Sequence, residues 1–151
     1  DPMSGNLDRI QIVKGWLGKD GKAQEKVYDV AWGDAERRKP GKDGKLPPVG
    51  DTVDVANATW ADSIGDPSLA AVWTDPHFDP SQRAFYYARV VENPSCRWST
   101  RQCLAAGVDC SNPDAVPEGY ADCCNADTPK TIQERAWTSP IWYRATQGAM
   151  Q

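Results

Sequence analysis

Period-two alternation of apolar and polar positions dominates the first part of the chain. In LDRIQIVKGWLG (7–18), Ile10, Ile12 and Trp16 share one parity, and Arg9, Gln11 and Val13 share the other. That is the pattern of a strand whose side chains alternate across a sheet. KDGKAQ (19–24) interrupts it with Asp-Gly, a turn signal. EKVYDVAW (25–32) resumes the alternation, with Tyr28, Val30 and Trp32 against Val27, Asp29 and Ala31. Together the two segments predict a β-hairpin. The strongest strand lies within DPSQRAFYYARVVENP (79–94). Phe85, Tyr87 and Val91 mark one face, and Tyr86, Ala88 and Val90 the other. Apolar residues on both faces predict a central strand covered on both sides. Arg89 then needs a partner for a buried or half-buried charge.

Other segments are less regular. DTVDVANATW (51–60) predicts one strand through Val53 and Val55, after a loop (33–50) that holds Pro40, Pro47 and Pro48. SLAAVWTDP (68–76) is balanced between a short helix capped by Asp66-Pro67 and a strand favoured by Val72, Trp73 and Thr74. STRQCLAAG (99–107) predicts one or two helical turns, with Ser99 as cap and Gly107 as stop. QERAWTSPIWY (133–143) predicts a closing strand. On a regular strand Trp137 and Trp142 face opposite sides, whereas a bulge at Ser139-Pro140 returns both to one side. The expectation places Trp142 in the core and leaves Trp137 open. The pattern as a whole predicts a mainly β chain: an antiparallel β-sandwich-like single domain over 1–144, a cysteine-rich loop excursion over 95–131, and a polar tail over 145–151.

Composition narrows the classes. A chain of 151 residues can bury roughly 70% of its unfolded surface. The net charge is −4, and the densest basic stretch, ERRKPGKDGK (36–45), mixes signs with Gly and Pro. It reads as a solvated loop and gives no footing to nucleic-acid binding. No apolar run approaches the roughly 20 residues of a membrane helix. The opening Asp1-Pro2-Met3 does not read as a translation start, so the chain is expected to be a piece or a processed product of something longer.

All five cysteines fall between 96 and 124. Clustering in a segment with no apolar core of its own predicts disulfide stapling. Cys123 and Cys124 are adjacent and are expected to reach different partners, with Cys103 and Cys110 the nearest candidates and Cys96 the spare thiol. The bridges would be crossing or nested. The gaps do not suit structural zinc, and the single histidine, His77, does not favour cysteine or serine nucleophilic catalysis. If the bridges form, the parent meets an oxidising compartment, the periplasm or the cell exterior.

Two further patterns carry candidate chemistry. Asp75, His77 and Asp79 in WTDPHFDPSQ (73–82) alternate as metal ligands do, but two Asp-Pro pairs also spell an exposed turn, the favoured reading. Asn57-Ala58-Thr59 matches a glycosylation acceptor, but inside a predicted strand it reads as chance. No metal, cofactor or catalytic residue is assigned to this chain, and whether it is itself an enzyme is left undecided.

The motifs LDRIQIVKGW…EKVYDVAW, LPPVGDTVDVANATW, AVWTDPHFDPSQRAFYYARVVENP, RWST and TIQERAWTSPIWY occur in order over 7–143. In this the chain resembles the C-terminal part of a bacterial domain-of-unknown-function family, numbered 3604, whose members resemble polymerase-and-histidinol-phosphatase (PHP) metallohydrolases. The resemblance implies a non-catalytic C-terminal domain of an exported hydrolase, with a divalent metal held by the upstream region of the same protein. That upstream region is the implied partner, without nucleic acid or membrane. Trp98, Arg135 and Trp137 are candidates for one wall of a cleft, or for core packing. The alternatives are a Trp-rich module for carbohydrate or aryl ligands, and an independent small hydrolase.

Overall fold

The computed structural model describes residues 4–144; the predicted polar tail, 145–151, lies outside the described residues. In chain order the strands are β1 (Leu7–Leu17), β2 (Ala23–Trp32), β3 (Val53–Asp54), β4 (Thr59–Trp60), β5 (Ala84–Glu92), β6 (Ser95–Cys96), β7 (Thr131–Ile132), β8 (Arg135–Trp137) and β9 (Ile141–Tyr143). One α-helix, α1 (Trp98–Ala105), lies between β6 and β7. The hairpin forms where the alternation is cleanest, and Gly21 takes φ 74° in its turn, a left-handed conformation that suits glycine. Its β2 strand carries one irregularity. Ile10 faces Ala31 while Gln11 faces Asp29, so Val30 is an extra residue and the parity of β2 changes there.

The hairpin joins β5, β8 and β9 in one antiparallel sheet, ordered β2-β1-β5-β8, with β9 also on β5. Two-stranded ladders β3–β4 and β6–β7 complete the β structure. The chain is therefore mainly β and antiparallel. The second facing sheet that a sandwich requires is not among the described elements: the residues outside the main sheet form loops, α1, two 3-10 turns (Pro113–Ala115 and Ala121–Cys123) and the two short ladders. β5 is central, as its apolar run predicts, but neither face is fully covered: Tyr86, Ala88 and Val90 on one side and Phe85, Tyr87 and Arg89 on the other are all half-buried. Segment 66–82, neither helix nor regular strand, lies over the face of Lys14, Tyr28 and Tyr86. Trp73 packs there at 4.9 Å from the Tyr28 ring and 6.5 Å from the Tyr86 ring.

Several polar groups sit where apolar ones are usual. Arg38, in the stretch expected to be a solvated loop, is buried. It donates from Nη2 to Asp8 Oδ1 (2.6 Å) and the Pro47 carbonyl (2.8 Å), and from Nη1 to the Gly33 carbonyl (3.0 Å). The surrounding charges are solvated, but Arg38 ties the 33–50 loop to β1. Gly33 passes so close to Gly65 that a Cβ on it would lie 2.6 Å from the Gly65 Cα. The 51–60 segment is not one strand but the tight β3–β4 hairpin, because Asp54 accepts the backbone N–H groups of Ala56 and Asn57 and closes a turn. Asn57 is thus in a turn, with its amide donating to Asp54 Oδ2 at 2.7 Å.

Helix α1 starts two residues earlier than expected. Arg97, not Ser99, stands at its N-cap, and no side chain caps it. Gly107, at φ 64°, follows its end as the sequence predicts. The excursion beyond it is held by Cys103–Cys123 and Cys110–Cys124, which cross in sequence. Cys96 is free and buried. Two disulfides are compatible with an oxidising compartment. No helix among the described residues is long and apolar enough to cross a membrane.

Candidate functional site: the open aromatic face

The face of the sheet opposite Trp73 is built by Val13, Gly15, Leu17, Val27, Phe85, Tyr87 and Arg89, with Trp137 on β8 and Trp142 on β9. Both tryptophans point the same way because the closing strand is bulged. Trp137 stands opposite Arg89, and Trp142 opposite Phe85. Five residues on β5, 85–89, are thus matched by six across 137–142. The extra residue falls at Ser139-Pro140, where proline's missing N–H leaves no ladder bond unmade. Thr138 holds the break by donating its N–H to the Ala88 carbonyl and accepting the Ala88 N–H on Oγ1, both at 3.0 Å.

Trp142 is 69% exposed and Trp137 59% exposed. The expectation that Trp142 enters the core is corrected: β9 lies at the margin of the sheet and no described segment packs over the ring. Its neighbour Phe85 lies 5.2 Å away, centroid to centroid, and Phe85 and Tyr87 are nearly parallel at 6.4 Å. Phe85 lies over Gly15, whose missing Cβ makes room for the ring; a Cβ there would sit 2.3 Å from Phe85 Cζ. Beside them a cavity of about 700 Å³ opens between Leu17, Ala23, Glu25, Phe85 and Trp142. The other end of the face is polar. Arg89 Nε donates to Gln11 Oε1 at 2.8 Å, and Gln11 Nε2 to Asp29 Oδ1 at 2.7 Å, so the charge of Arg89 is relayed to a carboxylate through an amide.

The candidate residues of the predicted wall separate. Arg135 and Trp137 lie two apart on β8 and share this face, both exposed. Trp98 opens α1, away from the sheet, and is 67% exposed. The pattern did not reveal Phe85, Tyr87 and Trp142 as accessible; the Ser-Pro pair was the signal that aligned the two tryptophans.

The Asp75-His77-Asp79 pattern forms a turn, with Asp75 turned inward. Asp75 and Lys14 are almost wholly buried, and Lys14 Nζ donates to Asp75 Oδ2 at 2.6 Å. Tyr86 donates to the same oxygen at 2.8 Å, while Tyr28 Oη–H and the His77 N–H reach Oδ1. Burial pushes the Asp75 carboxyl up, but the bonds from Lys14, the His77 amide and Tyr86, with the Lys14 charge, outweigh it and hold the group at about 2. Burial, together with Asp75, pushes both tyrosine hydroxyls up. Among the described residues no group of three His, Cys, Asp or Glu side chains is placed to hold a metal. The Cys96 thiol is pushed up by burial and stays protonated, which is unsuited to a nucleophile.

No curated protein and no solved structure matches the chain. A family model described as "Protein of unknown function (DUF3604)" matches residues 1–145, and the chain belongs to that family.

Proposed function

We propose that this chain is a non-catalytic domain of an exported, PHP-like metal-dependent hydrolase, and that its open aromatic face docks against the upstream catalytic region of the same protein. The observation that carries this reading is the concentration of exposed Leu17, Val27, Trp137 and Trp142 around Phe85 and Tyr87 on one face. Surface apolar residues scattered singly need no explanation, but a contiguous aromatic patch marks an interaction surface. The thin core supports it. Only seven hydrophobic residues are buried among the described ones, although 40% of the chain is hydrophobic, so apolar surface is left for a neighbour to cover. Arg135 and Trp137 lie at the polar end of the patch and would form part of a cleft wall there; Trp98, off the sheet, would contribute only through a separate contact. The disulfides suit a periplasmic or extracellular setting.

The test is binding in trans of the separately produced upstream region. The chain is expected to bind it, and Trp137→Ser with Trp142→Ser to weaken binding at least about a hundredfold, as loss of two aromatic anchors should. Unchanged binding by the double variant sinks the reading. A second reading has one observation in its favour: the cavity beside Phe85 and Trp142 offers ring faces to a planar ligand. In that case the isolated chain binds aryl glycosides with saturable quenching of Trp142, and the same ligands compete with no protein partner.

A further inference from the structure

On the opposite side of the sheet, a cavity of about 330 Å³ lies between Lys14, Trp16, Lys26, His77, Asp79 and Gln82. Its hydrogen-bonding capacity is lopsided. Asp75, beneath it, already accepts four donors, about all that a carboxylate can take. Lys14 is not saturated in return. Its ammonium gives one proton to Asp75 and one to the His77 carbonyl, and the third has no acceptor among the described residues, although the side chain is only 3% exposed. Lys26 has no carboxylate within ion-pair distance among the described residues; its Nζ lies 3.4 Å from the His77 ring nitrogens. Among the described residues, the Trp16 indole N–H and the Gln82 amide have no hydrogen-bond partner either. The walls therefore hold several unmet donors. The carboxylate on the wall, Asp79, already takes the N–H and hydroxyl of Ser81 on Oδ1.

We propose that this cavity binds a small organic carboxylate, its anionic head on Lys26 and the free Lys14 proton and its body against Trp16. Charge decides the class. Lys14 and Asp75 cancel, Lys26 at the mouth and Lys19, whose charge acts on Asp79, together outweigh Asp79 by one, and Asp79 opposes any second negative charge. A monoanion is matched and a phosphate dianion is not. The site differs in face and chemistry from the proposed docking patch, so the two stand or fall separately.

The experiment is a titration of the isotopically labelled chain with benzoate, its neutral isostere benzamide and inorganic phosphate, followed by NMR. Benzoate is expected to give saturable shifts at the Trp16 indole, Lys26 and the His77 amide. Benzamide should give none at Lys26 and His77, and phosphate should bind more weakly than benzoate. Lys26→Met, an exposed position that the fold does not need, should weaken benzoate at least about tenfold, the loss of one charge-assisted contact. No saturable shift at Lys26 and His77, equal binding of benzamide, tighter binding of phosphate, or an unaffected Lys26→Met variant would each overturn the proposal.

Discussion

Asp75→Asn removes one charge from a buried pair and should be among the most damaging single changes in the chain. Lys14 would be left as a buried ammonium at 3% exposure. Breaking such a pair from one side costs about 3–5 kcal/mol, because the remaining charge is neither solvated nor matched. An asparagine also turns one carboxylate oxygen into an NH₂ group facing Lys14, Tyr86 or Tyr28, which are donors themselves. Against the roughly 5–15 kcal/mol that holds a domain together, that is at least about a fifth of the total. Acid titration of the native protein offers an independent figure. The Asp75 carboxyl is held at about 2 against an ordinary 3.8, and such a gap is worth about 2 kcal/mol. The folded value is the lower one, so the unfolded chain takes up the proton first. The stabilisation is complete above the ordinary value and is lost as pH falls from near 3.8 through about 2. Urea unfolding at neutral pH, and again across that acid window, measures both quantities. The double variant Lys14→Met/Asp75→Leu, which removes both charges, should recover much of the loss. A cost below about 1 kcal/mol for Asp75→Asn, or an acid limb unchanged by it, would refute the reasoning, since the charge would then be neither buried nor paired as described.

Three other outcomes follow from the same structure. Arg38→Met should destabilise by about 3 kcal/mol in urea unfolding, the low end for a broken buried pair because Arg9 Nε and Gln133 Nε2 still reach Asp8 Oδ2. Gly33→Ala should lower the melting temperature markedly, because its Cβ would meet the Gly65 backbone at 2.6 Å rather than a side chain that can turn away; a melting temperature within a degree or so of wild type would contradict that crossing. Intact mass before and after reduction should show four bridged cysteines and a free Cys96, and loss of either bridge should cost about 3 kcal/mol for loops of this length.

The hairpin and β5 were legible in the sequence because period-two alternation is a local signal, and the staples because four cysteines were crowded into a segment without apolar pattern. The rest turned on information that local pattern does not hold. Tyr86 and Lys14 become neighbours of Asp75 only through cross-strand register and the path of the 66–82 segment. Arg38 looked like one more solvated charge in a mixed run; burial came from the loop folding back on β1 to satisfy Asp8. Apolar residues on both faces of β5 predict two covers, but hydrophobicity reports only that a face avoids water, not that this chain supplies the cover. The same ambiguity misplaced Trp142 in the core. The Ser139-Pro140 bulge was foreseeable as a possibility, and the β5 register decides it.

Hydroxyl-radical footprinting of Trp137 and Trp142, compared between the isolated chain and the full-length polypeptide, tests the docking of the open face most directly. Both rings should oxidise readily in the isolated chain, as their 59% and 69% exposure requires, and about tenfold more slowly in the full-length protein, where a docked face excludes water. Equal oxidation in the two would contradict the docking of this face.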